Sequence, residues 1–430
     1  MAISETVYEK LTNDDARLCD DIPEEACREA PQSFSLMLVS NFLTKLGDAI
    51  ASPKTTLAWL TTVVGAPAWV LGFLVPIRES GSMVPQLFIG GYIRQLPVRK
   101  YVWIAGSIGQ FFCIAGIGLT AWFLEGAAAG WSILTLIALF SLARGFSSVA
   151  SKDVIGKTIP KPKRGQLTGW SSSMAGFVSI LLGVALMLPL ATGVNASLIG
   201  WLILGAASLW LLAALLFSRI TEYEGATSGG RTAWASLAKL DLLITDKPFR
   251  NFVITRALLM CSALSAPYYI ALAQGDQSPA WLLGAFIAAA GLASLVSGPA
   301  WGRFADRSSK RVMIAAALVT SGTGIVTFLA DRFAPAAVAS TWFLPLAYFV
   351  LSVAHSGVRV GRKTYVVNLA TGNQRTDYVA ISNTVIGLLL LVVGAVGVLT
   401  PLIGNAGVIA VLALMGLAGA VLGSTLQDVE

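Results

Sequence analysis

An ionisable side chain inside a long apolar stretch is costly to bury, and each one is therefore a candidate for chemistry. In this sequence such residues are Lys45, Asp48 and Lys54, then Arg78 and Glu79, Arg144, Arg256, and finally His355 and Arg359. Bases outnumber acids. A cavity built from Lys45, Lys54, Arg78, Arg144, Arg256, His355 and Arg359 would attract an anion: an organic acid, a phosphorylated or sulfated metabolite, or an anionic amphiphile. Asp48 and Glu79 are the acids at comparable depth. A carboxylate held away from water can trade a proton for a cation or a bound solute, which makes both candidates for proton coupling.

Spacing suggests partners. Lys45 and Asp48 are three residues apart, share a helix face and can pair. Arg78 and Glu79 are neighbours pointing about 100° apart on a helix, so different partners are expected for them. Arg144, Ser148 and Lys152 fall at i, i+4 and i+8 on one face, and His355, Arg359 and Lys363 repeat the pattern. Lys152, Asp153, Arg362 and Lys363 lie near the ends of their stretches, where long side chains snorkel to the interface. His355, the single histidine, could relay a proton or simply hydrogen-bond. Enzyme chemistry finds no support. There is no histidine-supported nucleophile, no metal-ligand cluster and no phosphate-binding glycine loop followed by lysine, so no metal or cofactor is expected.

The elements that position these residues are membrane helices. Of the 430 residues 55% are hydrophobic and 12% charged, against about 25% charged in soluble domains. Apolar runs of roughly 20 residues, enough to cross a bilayer, recur over 36–60, 68–92, 101–124, 131–155, 167–192, 196–218, 249–273, 281–304, 311–331, 336–362, 378–402 and 405–425. Pro53 in span 1 and Pro267 in span 7 can kink their helices, and Pro76, Gly81 and Pro85 make span 2 irregular. Trp59, Trp69, Trp170 and Trp281 near span ends fit an aromatic belt. The fold class expected is an all-α integral membrane protein of twelve transmembrane helices. Its parts are an acidic tail (1–33), a six-helix bundle (34–218), a linker (219–248), a second six-helix bundle (249–425) and a short C-terminus (426–430). The linker segment 233–244 reads as an amphipathic surface helix. The four cysteines suggest no disulfide framework. Basic residues crowd one set of loops, from Arg94 through Lys157, Arg231 and Lys310 to Arg375, which predicts both termini in the cytoplasm of an inner membrane. The tail is too acidic for a signal peptide.

The two halves echo each other. Pro67-Ala-Trp-Val-Leu-Gly72 opens span 2 and Pro279-Ala-Trp-Leu-Leu-Gly284 opens span 8. Thr44-Lys45 answers Thr255-Arg256 at an offset of 211 (256 − 45), and Lys152 answers Lys363 and Arg164 answers Arg375 at the same offset. Parallel six-span repeats imply two bundles related by a pseudo-twofold axis along the membrane normal, with a site between them.

Gly302-Arg-Phe-Ala-Asp306-Arg307-Ser-Ser-Lys310-Arg311 resembles the loop signature of the major facilitator superfamily, with serine in place of its second glycine. After span 2 a degraded copy keeps Gly91, Arg99 and Lys100 but has Gln95 where the aspartate belongs. The resemblance spans all twelve runs. It implies spans 1, 4, 7 and 10 around a central cavity, and an aspartate latch that shuts the cytoplasmic side by facing a helix N-terminus. The latch would use Asp306 against the start of span 5 near Arg164, with Arg164 and Arg375 as braces. Span 5 lacks the glycine- and proline-rich motif of the drug-antiporter subgroup. The resemblance, which is blind to substrate, implies a secondary transporter working by alternating access; the excess of bases in the spans points to a small anionic solute and the two acids to proton coupling, and a monomer in contact with lipid and without nucleic acid is expected. The alternatives are a multidrug or cation exporter, and a non-transporting sensor or chaperone on the same fold.

Overall fold

In a computed structural model the described residues are 5, 8, 22, 24–93, 95–188, 195–225, 227, 238–274, 279–369 and 374–429, and among them every regular element is a helix. Nine described segments are long and apolar enough to cross a membrane. The last of these, Asp377–Ser424, has 48 residues, about twice what one crossing needs. It turns at Gly404, whose φ of +71° is a conformation that a side chain would strain. Two further passes fail the apolarity test because they are charged and broken, and with them the architecture is consistent with twelve.

Proline breaks these two passes where the sequence places it. Span 1 is Glu24–Ile50 followed by Thr56–Val63, with Pro53 between. Span 2 is Ala68–Met83 and Gln86–Ile93, with Pro85 between. Span 7 is Lys247–Leu258, Cys261–Leu264 and Ala266–Ala273, with Pro267 opening the last piece. Spans 3 to 6 are Lys100–Phe123, Gly126–Thr158, Lys161–Met187 and Ala196–Ser218. Spans 8 and 9 are Ala280–Ala305 and Ser309–Phe333. Spans 11 and 12 are Gln374–Gly394, extended by a 3-10 turn over Ala395–Leu399, and Thr400–Ser424.

Span 10 differs from its expected limits. It runs over Phe343–Leu369 after a single turn at Pro335–Val338, whereas the sequence suggested 336–362. Apolar residues on both flanks hide the true start, and charged residues mimic an end. Arg359, Arg362 and Lys363 therefore sit within the helix. Of the proposed amphipathic segment 233–244 only 238–244 is described, within a 3-10 turn (Ala238–Asp241) and one helical turn (Leu242–Thr245); 233–237 lie outside the described residues, as do Arg94 and Arg231. Cys27 is disulfide-bonded, where the sequence suggested no disulfide framework, and Cys113 and Cys261 are buried free thiols. Trp59 is 1% exposed and belongs to the core, not to an aromatic belt.

Spans 5 and 8, and spans 2 and 11, form the seam between the halves. We call the face carrying Arg99, Lys157 and Lys310 the basic face, and the opposite one the far face. Toward the far face the seam is glycine on glycine: a methyl built on Gly183 would come within 2.5 Å of Ala288 N, and one on Gly291 within 2.8 Å of Gly176 O. On the other side Gly72 meets Gly394 O and Gly397 Cα, each at 2.7 Å from such a methyl. Toward the basic face the glycines of spans 2, 5 and 8 (Gly90, Gly91, Gly165, Gly169, Gly298, Gly302) have nothing within 4 Å of that position. Gln274 Nε2 also donates to Trp59 O across the halves at the far side, at 3.2 Å. Among the described residues no ion pair joins the halves. The seam is closed at the far face, and toward the basic face these glycines meet no neighbour.

Candidate functional site

Between the halves lies a cavity of about 580 Å³, lined by spans 1, 2, 4, 5, 7, 8, 10 and 11. Every candidate binding or coupling residue reaches it. Its bases are Lys45, Lys54, Arg78, Arg144, Arg256, Arg359, Arg362 and Lys363, eight in all, and its acids are Asp48 and Glu79, with His355 also on the wall.

The acids have different surroundings. Asp48 sits between two guanidinium groups: Arg78 Nη2 donates to Oδ1 at 3.0 Å, and Arg144 Nη2 forms an ion pair with Oδ2 at 2.5 Å. This triad joins spans 1, 2 and 4. Arg78 also lies over the Phe140 ring at 4.6 Å, a cation–π contact. The expected Lys45–Asp48 pair is not made, because the arginines fill both carboxylate oxygens. Glu79 diverges from Arg78, as neighbouring positions on a helix must, and forms no ion pair among the described residues.

Lys45 turns to span 5. Its Nζ donates to Ser171 Oγ at 2.8 Å, Ser172 Oγ at 2.6 Å and Thr168 O at 2.9 Å. Arg256 does the same in the second half, donating to Ser382 Oγ at 2.7 Å and Asn383 Oδ1 at 2.8 Å on span 11. Ser171 Oγ donates to Thr168 O, and Ser382 Oγ to Val379 O. Each of these second-half positions lies 211 after its counterpart (256 − 45, 382 − 171, 383 − 172, 379 − 168). The duplication visible in the sequence is thus a duplicated clamp, holding span 1 to span 5 and span 7 to span 11.

Spans 4 and 10 are less alike. Where span 4 places Arg144 on Asp48, the matching His355 of span 10 bridges the halves. Lys54 Nζ is 2.9 Å from His355 Nε2, and His355 Nδ1 is 3.0 Å from Ser262 Oγ. Ser262 Oγ donates to Leu259 O at 3.0 Å, so the consistent direction runs from Lys54 through a neutral imidazole protonated on Nδ1 to Ser262. Arg359, Arg362 and Lys363 continue along span 10 toward the basic face. The sequence treated Arg362 and Lys363 as interfacial; the register of span 10 makes them cavity residues.

The latch residues divide by half. In the first, Arg99 Nη1 pairs with Asp153 at 3.1 Å. Glu222, past span 6, accepts from Arg99 N at 2.8 Å, Lys100 N at 2.6 Å and Lys157 Nζ at 2.8 Å. It places a fully buried carboxylate on the N-terminus of span 3, where the helix dipole favours negative charge. Lys100 Nζ donates to Ile220 O at 2.8 Å. Arg164 caps the end of span 4 through Ile159 O and Gly156 O, both at 2.9 Å. In the second half Asp306, Arg307 and Arg311 are exposed and Lys310 is partly buried. Asp306 makes no ion pair among the described residues. Gly91 and Gly302 face open space. Arg375 lies in span 11, and its side chain is outside the described residues. Sequence reasoning missed Glu222 and the serine pair of span 5; applying the 211 offset to every position of spans 5 and 11 would have found the serines.

No protein-family model matches the chain. The multidrug resistance protein MdtG of Enterobacter lignolyticus is 28% identical over 312 residues, covering 70% of this chain and 68% of MdtG. The inward-open xylose transporter XylE of E. coli superposes with a TM-score of 0.69 at 15% identity over 92% of this chain and 97% of that one. Another XylE structure is described as that of a major facilitator superfamily proton:xylose symporter (TM-score 0.59, 16% identity, 93% of this chain and 96% of that one). The nucleoside transporter NupG gives 0.66 at 12% identity, over 92% and 99%. At these identities the solved structures establish the fold. The loop signature, the duplicated bundles around one cavity and the likeness to MdtG and XylE together give this chain the fold of the major facilitator superfamily transporters that it resembles.

Proposed function

We propose that the protein is a secondary transporter that carries a small anionic solute across the inner membrane by alternating access, coupled to protons. The observation that supports this most is the charge of one cavity: eight bases face two carboxylates, and one of those carboxylates is already consumed by two arginines. Uncompensated buried charge is unfavourable, and an anion entering the cavity relieves it.

The geometry supports a cycle. With the basic face in the cytoplasm, closure of the glycine seam at the far face and separation at the basic face describe an inward-facing state. The unlatched Asp306 fits that state, since the latch belongs to closure of the cytoplasmic side. Proton coupling would use Asp48 and Glu79. Asp48 is tied as the ionised partner of Arg78 and Arg144, while Glu79 is free to exchange a proton once an anion has satisfied the surrounding bases. Uptake of labelled organic anions into proteoliposomes under a pH gradient tests the reading. Transport should fall sharply in Arg144→Ala, and unchanged uptake of the transported anion in that variant would remove the cavity assignment.

The likeness to MdtG favours a second reading, export of drugs. Resistance conferred on an efflux-deficient host by the wild type and lost in Arg144→Ala would support it; cationic drugs are the disfavoured class on charge.

A further inference from the structure

We infer that the solute is a multiply charged oxyanion, at least dianionic, and that the two pseudo-equivalent clamps, Lys45 and Arg256, are cations it recruits. This rests on the anionic reading above and goes beyond it in charge number and in the residues that count the charge.

The charge balance comes first. Asp48 neutralises one of its two arginines and leaves the triad at +1. Among the described residues no carboxylate pairs with Lys45, Lys54, Arg256, Arg359, Arg362 or Lys363. Glu79 offsets one of these six, so the empty cavity keeps a surplus that a single negative charge barely touches.

The clamps come second. Lys45 and Arg256 line the cavity, yet both are held only by neutral oxygens. A hydrogen bond to an ionised acceptor is roughly twice as strong as one to a neutral acceptor, so an oxyanion outcompetes serine and asparagine for these donors. Arg256 is also incompletely satisfied: its Nε is buried without a partner. The clamps occupy equivalent positions in the two halves, so one anionic group for each half is the arrangement the duplication favours.

Shape agrees. From His355 to Lys363 span 10 rises about 12 Å at 1.5 Å per residue, and Arg359 and Arg362 stand between them. The bases thus form a column from the open mouth to the floor, not a single point. Guanidinium groups favour carboxylate and phosphate oxyanions, which they bind bidentately. A cavity of about 580 Å³ falls within the range of roughly 300–1,000 Å³ that holds organic ligands, larger than an inorganic ion requires.

The test is binding of six-carbon sugar derivatives of rising charge. Glucose, gluconate, glucose 6-phosphate and fructose 1,6-bisphosphate are added at millimolar concentration, at constant ionic strength, to the purified full chain, with binding read by thermal shift. Affinity should rise along the series, by at least about tenfold from gluconate to the bisphosphate. Arg256→Gln and Lys45→Gln should each weaken the bisphosphate by a larger factor than gluconate and so erase most of that difference. If a variant fails to fold, the wild type alone decides: the salt dependence must be steeper for the bisphosphate than for gluconate. Equal binding of gluconate and bisphosphate, or equal salt slopes, would overturn the inference and leave the anionic reading standing. Glucose binding as well as any anion would overturn both, and so would the absence of a shift with all four.

Discussion

Replacing Asp48 by asparagine tests the centre of the cavity most severely. The carboxylate accepts from Arg78 at 3.0 Å and forms an ion pair with Arg144 at 2.5 Å. Asparagine has the same shape but one acceptor oxygen, so it can satisfy one guanidinium and turns an amide N–H₂ toward the other. Charge-assisted hydrogen bonds contribute about 1.5–3 kcal/mol each, and removing one partner of a buried pair costs about 3–5 kcal/mol. The three side chains retain 16–29% exposure, so water offsets part of this loss. We expect Asp48→Asn to destabilise the protein by about 2–4 kcal/mol, read as a lower apparent midpoint of thermal denaturation in detergent. Removing the charge that then lacks a partner should restore stability, so Asp48→Asn with Arg144→Gln should be more stable than Asp48→Asn alone. A coupling of that sign in the double-mutant cycle is required. An unchanged midpoint in Asp48→Asn, or strictly additive losses in the double variant, would refute the triad as the element that ties spans 1, 2 and 4.

Further expectations follow from the same contacts. Glu79→Gln should keep anion exchange between equal pools and lose pH-driven accumulation, measured as counterflow against uptake under a pH gradient; retained pH-driven uptake would rule Glu79 out. Glu222→Gln should lower the denaturation midpoint through a loss of about 2–4 kcal/mol, since its carboxylate holds Lys157 and two backbone N–H groups of span 3. Gly183→Leu should prevent far-face closure, because even a methyl there would approach Ala288 N at 2.5 Å; labelling of a cysteine placed in the cavity should shift toward reagents added from the far side. His355→Gln should weaken the Lys54 bridge between the halves and raise the same far-side labelling, whereas an unchanged pattern would reduce the bridge to local packing.

Much of this was legible in the sequence because a bilayer restricts the options. Apolar runs give helices, and the 211 offset gives two bundles. Charged residues inside the runs marked the cavity. What could not be read were partners and register. The spacing of Lys45 and Asp48 allows a pair on one helix, but the arginines of spans 2 and 4 outcompete the lysine for the carboxylate, and only the packing of three helices shows it. Span 10 begins seven residues later than its apolarity suggested, because residues 336–342 are as apolar as a helix and yet form a turn and a loop. That shift moves Arg362 and Lys363 from the interface into the cavity. Glu222 carried no signal, since an acid after a span reads as an ordinary solvated residue until its helix N-terminus is found. The aspartate signature around Asp306 was legible as a motif, but whether the latch is open or shut belongs to the conformation.

The measurement that tests the central claim most directly is uptake into proteoliposomes reconstituted with the full-length protein, comparing labelled organic anions with neutral and cationic solutes of similar size under an imposed proton gradient. The account predicts accumulation of an anion, dependent on the gradient and abolished in Arg144→Ala. Transport of neutral or cationic solutes in preference to every anion, with Arg144→Ala as active as the wild type, would contradict it.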